Sequence, residues 1–174
     1  LNFVNSSGRK IPDLFEDVSW GGLDYLLVDF SPGAGDVQLT ILQNLPVSGT
    51  VVVTTPQSMA VDDARRGVEM FAEYDTNVLG VVENMGGFVC PDCGNQHDIF
   101  GDDGGQSLAE AVDVLYLGSL LLDPAVRVGG DDGNPIVRRE NNDTPEAFKS
   151  LAGTVANKVG ILRRHQQQQA ISPE

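Results

Sequence analysis

The sequence is poor in positive charge, in cysteine and in long apolar runs. Eleven Lys and Arg residues face 25 Asp and Glu, for a formal net charge of −14, and Lys10, Lys149 and Lys158 are the only lysines. Binding nucleic acid needs a basic footprint on the protein, so this balance argues against such a partner. No signal peptide is recognisable, and no apolar run approaches the roughly 18 residues that a membrane span needs. A membrane binder would also want a basic amphipathic terminal helix, whereas this chain ends in a glutamine run, Gln166 to Gln169. No membrane partner is expected, and a reducing cytoplasm is the expected setting. Cys90 and Cys93 are the only cysteines. In that setting a close pair is more often metal-binding or redox-active than a structural disulfide. No G-x-x-x-x-G-K-[ST] stretch occurs, Gly8-Arg9-Lys10 is too short to serve as one, and there is no internal repeat.

What remains is an ordinary globular composition. The chain has 174 residues, 41% of them apolar, enough for one domain with a real core. The acid is spread along the chain. Two readings stand: a surface adapted to high salt, where screening relieves self-repulsion, or an ordinary acidic surface.

Four short apolar runs read as strands buried on both faces of a parallel sheet: 25–30, 50–55, 78–84 and 114–118. Helical spacing separates them over 36–44, 58–74, 107–112 and 144–162, with Asp36 and Thr144 as expected N-caps and Pro145 just inside. Alternation of strand and helix predicts an α/β fold with an open, mostly parallel, doubly wound sheet. Loops rich in Pro, Gly and Asp follow the strands at 31–36, 86–106 and 129–135. Ligands collect at the carboxyl ends of strands in such sheets. Residues 1–162 are read as a single domain and 163–174 as a frayed polar tail.

Two segments carry chemistry. Cys90-Pro91-Asp92-Cys93-Gly94 places two thiols three apart on a Pro/Gly turn, within a loop at 86–101. Soft thiolates select zinc or iron–sulfur clusters, but a tetrahedral site needs about four ligands. His97 could be a third ligand of a single-chain zinc site, or a plain surface histidine. A second copy of the same turn, across a dimer axis, would complete the shell more simply. A reversible disulfide and two idle thiols are the alternatives to metal. The second segment is Ser31-Pro32-Gly33-Ala34-Gly35-Asp36, which follows Asp29. A carboxylate at a strand end, then a glycine-rich turn into a helix, suits a magnesium–phosphate site. A capped structural turn would look the same.

The run Trp20-Gly21-Gly22-Leu23-Asp24-Tyr25-Leu26-Leu27-Val28-Asp29-Phe30 into Ser31–Asp36 resembles the second nucleotide motif of the Mrp/ApbC-type ATPases. These belong to the deviant P-loop group that includes MinD, ParA and the nitrogenase iron protein. Later segments keep the register: Val53-Thr54-Thr55-Pro56-Gln57, then Asp63 and Met70-Phe71; Leu79-Gly80-Val81-Val82-Glu83-Asn84-Met85; Phe88-Val89-Cys90-Pro91-Asp92-Cys93-Gly94 with Ile99-Phe100-Gly101; and Asp123-Pro124 with Asp132-Gly133-Asn134-Pro135. Ser31, Leu120-Leu121 and Gly86-Gly87 depart from the usual pattern.

The resemblance implies a P-loop NTPase fold and an iron–sulfur cluster carrier of the ATP-binding Mrp type. Such a carrier would hold a [4Fe–4S] cluster between the Cys90 and Cys93 pairs of a homodimer and deliver it to apoproteins. It further implies that Asp29 orders Mg²⁺ and water, that Gly33 is a switch glycine near the γ-phosphate, that Asn84 meets the adenine edge and that Asp123 lies beside the base or ribose. It places a P-loop N-terminal to Leu1. The chain is therefore expected to be the C-terminal portion of a longer protein, to lack the first strand of the sheet, and by itself to bind ATP poorly and hydrolyse it negligibly. A MinD- or ParA-like positioning ATPase and a non-catalytic fragment stabilised by zinc are the competing expectations.

Overall fold

A computed structural model describes Phe15 and residues 17–30, 35–139 and 143–171. Among these the chain forms α1 (Asp36–Asn44), β1 (Thr50–Thr54), α2 (Ser58–Glu73), β2 (Val78–Asn84), β3 (Phe88–Val89), β4 (Gln96–His97), α3 (Gly104–Ala111), β5 (Tyr116–Leu120), α4 (Pro124–Asp131), a 3₁₀ turn (Ile136–Arg138) and α5 (Asp143–Ile171). Strands β1, β2 and β5 make a parallel sheet in the order β1-β2-β5, and β3 with β4 makes a separate antiparallel ribbon. This is the expected α/β architecture with an open parallel sheet.

β2 is the middle strand and the most buried. Leu79 to Glu83 are all buried, and Val81 is fully shielded. Burial without alternation means that both faces of this strand are covered. On one face α2 and α3 pack together over the sheet, while α5 lies against β5 and β2. Val52, Val68, Met70, Phe71, Val81, Leu108 and Ala109 form the central cluster. The helical stripe expected for α2 is seen, with Val68 and Phe71 turned into the core.

Several local expectations shift. Residues 25–30 do not form a strand. No neighbouring strand among the described residues offers them a ladder, so the stretch runs exposed, with Leu27 88% accessible. Phe30 alone anchors its end, stacking on Phe71 at 6.2 Å between ring centroids. The fourth strand begins at Tyr116, two residues later than the apolar run suggests. Gly35, not Asp36, is the N-cap of α1. Thr144 lies inside α5 and spends its hydroxyl on Asp123. α5 continues past Leu162 to Ile171. Arginine and glutamine are good helix formers, so a polar composition did not by itself end the helix.

Leu108 is completely buried on α3 against the central cluster. Leu108→Ala is expected to cost about 2–5 kcal/mol through lost transfer energy and a residual cavity. The urea midpoint should fall with an unchanged slope. Arg66→Ala should change stability by under about 0.5 kcal/mol, because the Arg66–Asp63 pair is exposed at both ends.

Candidate metal and nucleotide site

The parallel sheet brings the carboxyl ends of three strands to one edge. Thr54 of β1 pairs with Glu83 of β2, and Glu83 with Ser119 of β5; Asn84 then pairs with Leu120. The chain leaves β2 through Met85, which has a positive φ of 60°, and Gly86. Two hydrogen bonds fasten this exit to the end of β5: Gly86 N–H donates to Leu120 O (3.1 Å), and Leu122 N–H donates to Gly87 O (2.7 Å). Beyond this base the β3–β4 ribbon projects, with Phe88 opposite His97.

The two cysteines sit at the turn of that ribbon. Cys90 N–H donates to Asn95 O and Gly94 N–H to Cys90 O, each at 2.9 Å, so the turn closes on itself. Gly94 has φ +72°, a conformation that suits glycine. The backbone N–H of Cys93 most of all, then that of Asp92 and the Cys93 side chain, hold the Cys90 thiol below its ordinary value, and burial opposes them. Sulfur that accepts backbone N–H groups is stabilised as thiolate, the form that binds metal. Cys90 is half-buried and Cys93 exposed, and both are free thiols. The donor set therefore fits a soft metal, but it supplies two ligands only. Among the described residues no third His, Cys, Asp or Glu gathers with them. His97 is exposed on the ribbon, opposite Phe88, and does not complete a single-chain site.

The nucleotide-site residues are dispersed. Asn84 ends the middle strand, half-buried, and its Oδ1 accepts from Met85 N–H at 3.0 Å. Its acceptor thus steadies the turn. Asp123 follows β5 and caps α4: Oδ1 accepts from Ala125 N–H (2.8 Å), while Oδ2 accepts from the Thr144 hydroxyl (2.7 Å). Both of its oxygens are engaged, tying α4 to the start of α5. Asp29 lies on the exposed stretch before α1, outside the sheet. Gly33 falls outside the described residues. Asn84, Asp123 and the base of the cysteine ribbon therefore share one edge of the sheet, and Asp29 does not belong to that ladder.

Glu83 was not singled out from the sequence, although a lone carboxylate inside an apolar strand is a signal. It is 3% exposed, accepts from Gly105 N–H (2.7 Å) through Oε2 and from the Ser119 hydroxyl (3.3 Å) through Oε1. Its influence reaches Tyr116. Burial pushes that phenol above its ordinary value, the charge on Glu83 adds to the rise, and a hydrogen bond with Ser119 opposes it.

Two outcomes follow. Asp123→Ala should cost about 1 kcal/mol through the lost cap, read from chemical denaturation, with Asp123→Asn recovering most of it. Glu83→Gln should lower the Tyr116 titration, followed by the ring carbon NMR shift, yet leave it above the ordinary tyrosine value, because burial is the larger cause. A raised tyrosine favours the neutral form in the fold, so this contribution to stability is lost as pH rises above about 10.

Comparison with known proteins agrees with this geometry. The ParA family described as NUBPL iron-transfer P-loop NTPase matches residues 6–156. The mouse iron–sulfur cluster transfer protein NUBPL is 43% identical over 150 residues, covering 86% of this chain and 47% of that protein. An iron–sulfur cluster carrier protein of Synechocystis is 45% identical over 146 residues, covering 83% of this chain and 41% of that protein. The chain thus spans about half the length of these relatives. Among solved structures, a nucleotide-binding protein from Archaeoglobus fulgidus in complex with ADP superposes with a TM-score of 0.62 at 34% identity, over 71% of this chain and 53% of that one. The cell division ATPase MinD of Pyrococcus furiosus gives 0.63 at 20% identity, over 84% and 56%, a likeness of fold alone. No helix among the described residues is long and apolar enough to cross a membrane. A family match over most of the chain and relatives above 40% identity agree with the sheet-edge cysteine ribbon: the chain belongs to the ParA-type family of NUBPL iron-transfer P-loop NTPases.

Proposed function

We propose that this chain holds the cluster in an ATP-linked iron–sulfur cluster carrier working in a reducing cytoplasm. The observation that carries the reading is the ribbon turn at Cys90 and Cys93, with two free thiols on one turn and no third ligand gathered with them among the described residues. Two such turns from two copies supply four thiolates, the number that a [4Fe–4S] cluster takes. The cluster is cargo. Held at an interface between exposed ribbons, it is reachable by the thiolates of an apoprotein, and separation of the two copies releases it. A closed single-chain cage would retain it.

Nucleotide enters at the same sheet edge. Asn84 would offer its amide to the adenine, and Asp123 would flank the base or ribose once ligand competes for its cap contacts. Asp29 would order Mg²⁺ and water, and Gly33 would let backbone approach the terminal phosphate. The lysine and hydroxyl of a P-loop, which neutralise the phosphates and hold Mg²⁺, are not in this sequence. Supplying a segment that carries such a P-loop is expected to tighten ATP binding strongly. Tight ATP binding by the chain as it stands would contradict the assignment.

The metal reading is tested by anaerobic reconstitution with iron and sulfide, followed by iron, sulfide and zinc analysis. One cluster per two chains, lost in Cys90→Ser, is the expected result. Zinc at one per chain with no cluster would instead mark a structural site in a non-catalytic fragment.

A further inference from the structure

We propose that Glu83 is a positioning residue for the cargo site, fixing the direction in which the cysteine ribbon leaves the sheet. The role rests on the metal reading above and goes beyond it, because Glu83 touches neither cysteine.

Three observations converge on this carboxylate. First, it is the one acidic side chain buried among the described residues, at 3% exposure, and it follows the apolar run of β2, next to the last residue Asn84. A buried carboxylate is costly unless its oxygens are satisfied. Here each oxygen has a partner from a different element: Gly105 N–H in the first turn of α3 and the Ser119 hydroxyl on β5. Second, α3 takes no cap from its own sequence. Its N-cap residue Asp103 has φ +53° and makes no side-chain cap. Glu83 supplies the negative charge that this helix start favours. Third, the chain is bare of side-chain atoms where it crosses the carboxylate. A Cβ at Gly86 would stand 2.6 Å from Glu83 Oε1 and collide with Ser119 Oγ, and a Cβ at Gly105 would lie 2.8 Å from the Glu83 Cβ. Two glycines thus let the ribbon exit and the helix start close on one carboxylate.

The consequence is mechanical. Gly86 rests on the Glu83–Ser119 pair, its N–H is bonded to Leu120 O, and Gly87 O is bonded to Leu122 N–H. The ribbon carrying Cys90 and Cys93 begins at the next residue, Phe88. Without the carboxylate the seat under Gly86 is lost, and the base of the ribbon is left to those two backbone bonds alone, with more room to tilt. Two thiols that must meet two others across an axis tolerate little tilt. Asn84, adjacent in sequence, and Asp123, next after Leu122, rest on the same base.

The test uses Co²⁺ as the probe, under anaerobic conditions at 25 °C, reading thiolate-to-cobalt absorption and amide hydrogen exchange together. Glu83→Ala and Gly86→Ala are expected to weaken Co²⁺ binding about 10-fold or more, the usual effect of losing a group that orients metal ligands. The amides of Gly86 and Leu122 should exchange faster, while those of Val81 and Leu108 stay protected. Glu83→Gln, which keeps an acceptor for Gly105, should bind within about threefold of the wild type, the scale of one neutral hydrogen bond. A purely structural role would instead speed exchange throughout the core and leave the affinity of the still-folded protein alone. Wild-type affinity and spectrum in Glu83→Ala overturn the positioning role, as does Glu83→Gln behaving like Glu83→Ala. Wild-type protein that binds no Co²⁺ removes the metal reading, and this role with it.

Discussion

The constraint on which the site depends is the confinement of β2. This strand is paired on both sides and covered on both faces, so its carboxyl end has no freedom of its own. Asn84, the cysteine ribbon and Asp123 all gather there. Asn84 is its last residue, the cysteine ribbon is its continuation, and β5 delivers Asp123 beside it. In an open parallel sheet the strand ends form the natural ligand crevice. Here that crevice is flanked by the ribbon that carries Cys90 and Cys93, so the proposed nucleotide and metal sites adjoin on one edge.

The cargo site differs in kind from a structural metal centre. A structural zinc site closes four ligands around the ion and adds to folding stability. The two cysteines of this chain lie on a short ribbon whose turn is held by its own backbone bonds, with Cys93 exposed. In the proposed role, the metal needs a second chain. Under that division, cluster transfer reduces to making and breaking an interface, and a nucleotide bound at the base of the ribbon is well placed to bias it.

Much of this was legible in the sequence for identifiable reasons. Strand β2 announces itself because residues buried on both faces must be continuously apolar, whereas β1 has the same composition but leaves Val53 exposed. The cysteine turn is legible because two thiols on a Pro/Gly turn have few other uses in a reducing setting. The run at 25–30 has the same composition as those strands and yet forms none, because a strand exists only with a partner ladder, which a single run cannot reveal. Asp123 was read as a ligand residue from its neighbours in the motif. Its contact with Thr144 spans 21 residues of chain, and no local pattern encodes that distance. Glu83 was passed over for a related reason: its value lies in Gly105 and Ser119, which only the folded sheet brings to it.

The central claim is that two chains, each contributing one incomplete pair of thiolates, share a single cluster. Native mass spectrometry of the anaerobically reconstituted protein tests it most directly. The account predicts a species of two chains plus one [4Fe–4S] cluster that falls to single, metal-free chains when the cluster is chelated. A cluster or metal ion carried intact by single chains would contradict it.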